Sequence, residues 1–344
     1  MTANPKNASV DVLAGMLASA DEGLWREIFA AAREVKEKCG KTEVLPRGLI
    51  ETSNICAKDC FYCGIRKGNA KVPRYLIPEE EVKECIDEAR RRGYPAVAFQ
   101  AGEIESEANT AYYERHIAIC RGLEVTLSLG EQTEEVYRRW KDAGAMRYLI
   151  RIETSNRELY AKIHPEECSF ERRLGCIRTL KRLGYVTGSG VMIGLPGQTV
   201  EDLARDIVFY GEENLDMVGM GPYVPNGDTP LGRVVVGVSP ERSELRSRRY
   251  AGCCSRTKDG NVHCTTRASD YTYKMIALTR LYLWNVNIVA ATALEALDPE
   301  GGRNRGIEAG ANVVMPVLTP EKYRKAYDLY PGKAGREGAP RTVV

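Results

Sequence analysis

The amino-acid sequence predicts a single closed (β/α)8 barrel of the TIM type, an α/β fold, and three observations carry that prediction. Strand-like and helix-like segments alternate along nearly the whole chain. Eight such units succeed one another, and eight parallel strands joined by helical crossovers close on themselves. The 344 residues exceed a typical single domain but suit one barrel with short extensions.

A helix through "EGLWREIFAAAREVKEKCG" belongs to an N-terminal helical extension over residues 1–43, and the barrel spans 44–332. Strand one is "EVLPRGLIETSN", running into a cysteine-bearing loop. Residues 79–92 have helical periodicity, "AVAFQAGE" is strand two, 109–121 a helix, "LEVTLSLG" strand three, and "TEEVYRRWKDAG" a helix closed by glycine. "RYLIRIET" and "VTGSGVMIGLP" are strands four and five, separated by a helix ending near Gly184. "VEDLARDIVFYGEEN" is a helix leading into strand six, "MVGMGPYV". "YTYKMIALTRLYL" is a helix, "NIVAATAL" strand seven, a turn of helix precedes strand eight, "ANVVMPVL", and "PEKYRKAYDLY" closes as a helix. In such a barrel, functional groups gather at the C-terminal ends of the strands. The loop after strand one, Gly102 and Glu103 after strand two, Glu153 after strand four and the "GLPG" turn after strand five should therefore face one opening.

Residues 232–268 break the pattern. Eight basic against three acidic residues give this stretch a local charge of +5, with few large apolar residues, and it reads as a basic, mobile insert. Cys253, Cys254, His263 and Cys264 lie within it, without the paired spacing of a zinc site. The tail 333–344 also reads as mobile. Net charge is +2, too balanced for a phosphate-tracking surface, so neither nucleic acid nor an anionic membrane is expected as a partner. No apolar run is long enough for a bilayer. The first forty residues resemble neither a secretory signal nor a transit peptide. The reading is intracellular and cytoplasmic, with an organelle expected for a eukaryotic source. Eleven cysteines, an odd number, argue against a disulfide framework and for metal or reduced-thiol use.

One group of cysteines has ligand spacing. In "CAKDCFYCG", Cys56, Cys60 and Cys63 obey C-x3-C-x2-C. A four-iron cube normally takes four thiolates, so three at a barrel mouth leave one iron open to an outside molecule. The spacing resembles that of the radical S-adenosylmethionine (SAM) enzymes, whose open iron holds the amino and carboxylate groups of the cofactor before its reductive cleavage. A [4Fe-4S] cluster and SAM are accordingly the cofactors expected. Tyr62 is placed to lie against the adenine or to serve packing. Gly102 and Glu103 resemble the GGE-type element that receives the cofactor's ammonium. On strand four, a period of two puts Arg147, Leu149, Arg151 and Glu153 on one face, and forked guanidinium donors suit carboxylates and other anions. Thr126 and Ser128 share a face of strand three and can add hydroxyls. Cys39, Cys85, Cys120, Cys168 and Cys176 read as core or surface thiols. His116, His164 and His263 form no catalytic arrangement, and "GLPGQT" lacks the lysine of a P-loop.

Whole phrases across residues 46–231 and 270–332 resemble the HydE family of radical SAM maturases of di-iron hydrogenases. They include "RGLIETSN", "CFYCGIR", "VTLSLGE", "RYLIRIETSN", "GSGVMIGLPGQT", "DMVGMGPYVPNGDTPL", "GANVVMPVLTP" and "YDLYPGK". Biotin synthase and methylornithine synthase are the related alternatives with other substrates. The resemblance implies that Glu153 and Arg173, with Arg151 nearby, bind the methionine part of SAM. It implies that strand five, with Met192 and Gly194, lies along the adenosine. It also implies that Arg147, Thr126, Thr292, Tyr327 and Tyr330 are cavity positions. The implied substrate is an organometallic iron complex carrying cysteine, carbon monoxide and cyanide. The implied partners are HydG and HydF-like maturases and a reducing electron donor. No cysteine comes after Cys264, so an auxiliary C-terminal cluster is not expected, and Ala291 and Asn226 stand where the family commonly has Thr and His. A non-catalytic iron-sulfur scaffold is the rival reading, separated from an enzyme by turnover.

Overall fold

Strand pairs with strand in parallel throughout the computed structural model, which describes residue 5, residues 7–235 and residues 265–333, and the one antiparallel bridge among the described residues joins Ser53 to Leu76. The strands are β1 (Leu45–Ser53), β2 (Ala96–Ala101), β3 (Glu124–Ser128), β4 (Arg147–Leu149), β5 (Val186–Ser189), β6 (Met192–Ile193), β7 (Met217–Val218), β8 (Gly221–Pro222), β9 (Asn287–Ile288) and β10 (Val313–Val314). Eight of them lie side by side in the order β10-β1-β2-β3-β4-β5-β7-β9, while β6 and β8 pair separately. A Val289–Val313 bridge completes the ring, with the Ala290 N–H donating to the Val313 carbonyl and the Asn312 N–H to Ile288, both at 2.9 Å. The barrel read from the sequence is the barrel observed.

Strand alternation sets which residues fill the centre. Val97 and Phe99 of β2 are fully buried against helices, Phe99 meeting Tyr113 and His116 of α4 (Glu107–Ile119). Ala98 and Gln100 alternate with them toward the barrel interior. The helix-side core is aromatic. Trp140 of α5 (Glu134–Asp142) packs edge-on to Tyr113 and stacks with Tyr148, and its indole N–H donates to the Thr110 carbonyl at 3.1 Å. Truncating it to Ala would cost about 3–5 kcal/mol. Side-chain caps start the helices where the barrel turns demand it, with Thr133 on α5, Ser169 on α7 (Phe170–Arg182) and a Thr199/Asp202 capping box on α8 (Val200–Glu212).

Several elements differ from expectation for identifiable reasons. Strand four pairs with strand five only over 147–149, and beyond it the Ile152 N–H donates to the Ser189 hydroxyl at 3.1 Å instead of to a backbone carbonyl. Pairing resumes only at the Glu153–Val191 bridge. Strand seven ends at Ile288, and Thr292 opens α11 (Thr292–Leu297) rather than continuing the strand. The final helix is the short α13 (Glu321–Arg324); residues beyond it are drawn inward, where the Asn54 amide donates to the Ala326 carbonyl at 2.6 Å. The N-terminal extension holds two helices, α1 (Val10–Ala18) and α2 (Glu22–Lys38); α1 packs on α8 and α2 on α10 (Thr265–Leu283). Residues 232–235 of the basic segment end α9 (Pro230–Val235) and 265–268 begin α10, so its borders are helical. The rest of it, with Cys253, Cys254, His263 and Cys264, and the tail after Lys333 lie outside the described residues.

Candidate active site at the C-terminal mouth of the barrel

The loop after β1 carries the three cysteines and is held from several directions. The Arg74 guanidinium donates to the carbonyls of Asn54 and Ile65 at 2.7 Å and of Arg66 at 2.6 Å. Backbone bonds tie Ala57 to Glu103, Phe61 to Ile163 and Gly64 to Leu329. The Glu103 N–H donates to Cys56 Sγ at 3.3 Å. Gly102 must be glycine here: a Cβ would come within 2.2 Å of the Ile55 carbonyl oxygen and 2.8 Å of Cys56 Cβ. All three cysteines are unbridged. Burial pushes each thiol up, Cys63 to about 12, with Cys56 adding to it; for Cys60 the neighbouring Cys168 thiol is the larger cause. They therefore ionise only with strong cationic help. Among the described residues no three His, Cys, Asp or Glu side chains converge on one ion. The three thiols line one pocket, and thiolates are the ligands of iron-sulfur clusters.

Facing the cysteines is a cavity of about 300 Å³. Cys56, Cys60, Cys63, Tyr62, Gly102, Glu103, Arg151, Glu153, Arg173 and Met192 line it, and Thr292, Tyr327, Tyr330 and Lys333 are also in its wall. The charged groups form one network. Lys58, from between the first two cysteines, reaches Glu103 and Glu131, each at 3.1 Å. Arg173 Nε bonds Glu131 at 2.6 Å and Nη1 the Arg151 carbonyl at 2.8 Å. Arg151 pairs with Glu153 at 3.1 Å and bonds the Val191 carbonyl at 2.7 Å. Burial lifts the carboxyls of Glu103 and Glu153 against the opposing guanidiniums. Burial acts the same way on Glu131, but Arg173 and Lys58 outweigh it and hold that carboxyl below its ordinary range. Glu103 Oε1 and Glu153 Oε2 each have a cation at 3.1 Å yet accept no well-formed hydrogen bond, and buried Arg151 Nε has no acceptor. Such buried, incompletely satisfied polar atoms mark a place for a polar ligand. A zwitterion with an ammonium and a carboxylate answers that need, as SAM does.

Not every residue expected here is present. Gly194 does not line the cavity; its N–H is taken by Gln198 Oε1 at 2.7 Å. Arg147 and Thr126 sit one layer deeper, beneath Leu149 and Ser128 of the cavity wall. There Arg147 pairs with Glu124 at 2.8 Å, and Arg47 Nη1 donates to Thr126 Oγ1 at 2.9 Å. The four residues of strand four do share a face, but two residues of strand length separate Arg147 from the mouth. Tyr62 stacks edge-on to His164 and meets its Nε2 at 3.2 Å. Thr292 and Tyr330 hydroxyls meet at 2.7 Å. Two members of the network, Lys58 and Glu131, were not anticipated. Glu131 comes just after β3 in "LSLGEQ", so the rule that flagged the ends of strands one, two, four and five would have found it.

A three-thiol loop after the first strand of a parallel barrel, opening on a cavity with the charge pattern for an amino-acid zwitterion, defines a radical SAM protein. The radical SAM superfamily model matches residues 50–209. Over 324 residues, 94% of this chain and 84% of the relative, the sequence is 41% identical to the [FeFe] hydrogenase maturase subunit HydE of Thermotoga maritima. The chain belongs to the HydE family. It is also 25% identical over 90% of its length to 3-methylornithine synthase of Methanosarcina acetivorans, covering 79% of that protein. The crystal structure of methylornithine synthase (PylB) superposes with a TM-score of 0.71 at 22% identity, covering 96% of this chain and 85% of that one, a likeness of fold. Among the described residues no helix is long and apolar enough to cross a membrane.

Proposed function

We propose that this chain is the radical SAM enzyme that acts in assembly of the [FeFe]-hydrogenase active site, on an iron complex carrying cysteine, carbon monoxide and cyanide. The identity to a hydrogenase maturase over 94% of the chain carries the reading. Cys56, Cys60 and Cys63 would hold a [4Fe-4S] cluster, which supplies the electron that cleaves SAM to methionine and a 5'-deoxyadenosyl radical. Glu153 and Arg173, with Arg151 beside them, would bind the methionine carboxylate and ammonium, and Gly102 and Glu103 the ammonium from the other side. Tyr62 and Met192 would flank the adenosine. The polar part of the wall, where Thr292, Tyr327 and Tyr330 place hydroxyls beside the apolar Leu49, Val289 and Met315, would take the substrate. Enclosure within the barrel excludes water from a radical intermediate. HydG-type and HydF-type maturases and a low-potential electron donor are the partners this role requires.

The test is anaerobic reconstitution with iron and sulfide, then reduction with SAM and chromatographic detection of 5'-deoxyadenosine, beside a Cys60→Ala control. Deoxyadenosine from the intact protein alone supports the enzyme, and its rate should rise when the HydG product is added. A cluster that assembles without cleavage, with or without that substrate, would replace the enzyme by a scaffold.

A further inference from the structure

Glu153 is held in an unusual way. Its φ is +68°, the left-handed region that disfavours a residue with a side chain by roughly 1–2 kcal/mol. Such a conformation persists only where its surroundings over-determine it. On one side they do so through β6 and the segment that joins it to β5. The Glu153 N–H donates to the Gly190 carbonyl, and its own carbonyl accepts from the Met192 N–H, both at 3.0 Å. On the other side the strand has ended, and the tripeptide Thr154-Ser155-Asn156 leads into α6 (Arg157–Ile163).

That tripeptide is clamped by α8. Asp206 Oδ1 accepts from both the Ser155 N–H at 2.7 Å and the Ser155 hydroxyl at 2.6 Å. One turn earlier on the same helix, Asp202 Oδ1 accepts from the Asn156 amide at 2.7 Å, while Asp202 Oδ2 accepts from the Thr199 N–H at 2.9 Å. Asp206 is fully buried, and its Oδ2 has no hydrogen-bond partner among the described residues. A buried carboxyl with one oxygen unsatisfied is costly for stability. No cation pairs with it to offset that cost among the ion pairs of the described residues.

We infer that Asp206 is a positioning residue for the SAM-binding carboxylate: by gripping both donors of Ser155 it fixes the chain two residues beyond Glu153 and keeps Glu153 in its left-handed conformation, aimed at the cofactor. The inference rests on the radical SAM reading of the site, and its test separates the two. In Asp206→Ala the Ser155 donors lose their acceptor, and KM for SAM in uncoupled cleavage should rise about 10-fold, the scale seen when an outer hydrogen-bond partner of a binding residue is lost, while kcat at saturating SAM stays near that of the wild type. Asp206→Asn keeps the Oδ1 acceptor and should restore most of the affinity. A residue needed only for folding would instead lower the melting temperature and the active fraction without splitting KM from kcat.

Two further measurements keep the inference falsifiable. In the cluster-free full chain, amide hydrogen exchange over residues 153–156 should be faster in Asp206→Ala than in the wild type. If Asp206→Ala does not fold, Ser155→Ala removes one of the two bonds and should raise KM in the same direction by a smaller factor. Unchanged KM in whichever variant folds, or unchanged exchange over 153–156, would overturn the positioning role. A wild-type protein that binds a cluster but cleaves no SAM would sink the radical reading instead, and the exchange measurement would still decide whether the clamp exists.

Discussion

Replacing Glu131 by Gln removes the central negative charge of the site without changing its shape. The Glu131 side chain is wholly buried and faces Arg173 at 2.6 Å, Lys58 at 3.1 Å and Arg172 at 3.2 Å. Arg172 is about half exposed, so that contact is screened and contributes little. Arg173 is different: it is buried, and besides its bond to the Arg151 carbonyl it would keep Glu103, at 4.0 Å, as its ion-pair partner. Breaking a buried pair by removing one partner costs about 3–5 kcal/mol, and because Gln keeps one acceptor for Arg173 the lower figure, about 3 kcal/mol, is expected. At about 2.1 cal/mol/K per residue, a chain of 344 residues has an unfolding entropy near 0.7 kcal/mol/K, so the melting temperature should fall by about 4 °C. The assay is thermal unfolding of the anaerobic cluster-free protein monitored by circular dichroism. The sign of the pH dependence is fixed as well. Burial would raise Glu131, but Arg173 and Lys58 win and depress it, so its contribution is present above the unfolded pKa of about 4.3 and is lost as pH falls through the folded value. The gap between wild type and variant should therefore close on acidification. A loss below about 1 °C at pH 7, or a gap that widens in acid, would refute the claim that this network is held together by Glu131.

Gly102→Ala should assemble less cluster than the wild type, measured as iron and sulfide per chain, because the new methyl meets the Ile55 backbone rather than a side chain that can turn away. Cys60→Ala should abolish cluster binding, whereas Cys168→Ala, which removes the thiol beside Cys60, should leave iron content unchanged; equal loss in both would make Cys168 a ligand. Burial lifts the Asp206 carboxyl to about 7, so the folded protein holds a proton that the unfolded chain has released, and that stability drains away as pH rises from about 4 to about 7. Asp206→Asn should accordingly melt higher than the wild type at pH 8 and show little advantage near pH 4. Thr292→Val breaks the 2.7 Å contact with Tyr330 at a cost of about 1 kcal/mol, and should weaken the response to the proposed organometallic substrate while leaving uncoupled SAM cleavage intact.

How far the sequence led depended on whether the information was local. Period and cap signals are local, so the barrel, the order of its strands and the helices on its outside were legible. The cysteine spacing was legible because one loop supplies all three ligands. What failed was length along a strand. β4 stops pairing with strand five at Leu149, where the Ser189 hydroxyl takes the Ile152 N–H, and a side chain of the neighbouring strand that interrupts the ladder is invisible in the strand's own residues. Likewise "NIVAATAL" has the composition of a strand, yet Ala291 extends at φ −65°, ψ 145° into a helix starting at Thr292. Asp206 was beyond reach for a related reason. It lies on a helix 51 residues from Ser155, and nothing in "LARDIVFY" separates a clamp from a solvated acid.

The arrangement also explains how a barrel mouth tolerates so many charges. Lys58, Arg173 and Arg151 alternate with Glu103, Glu131 and Glu153, so these six groups carry no net charge among them, and each has an opposite neighbour within 4.0 Å. Glu131 is the anchor: its carboxylate is depressed and takes the shortest bond. Glu103 and Glu153 are lifted by burial and hold their cations without good hydrogen-bond geometry. They are therefore the members that would gain most from a new ammonium, while a new carboxylate would find the guanidiniums of Arg151 and Arg173 in the same wall. On the proposed reading, a zwitterion would enter such a network by exchange of partners, with no change in net charge and little uncompensated desolvation. A ligand of the same shape lacking either the ammonium or the carboxylate would unbalance it. Decarboxylated SAM should therefore compete far less well than SAM itself, and equal competition would show that the network serves only to hold the loop.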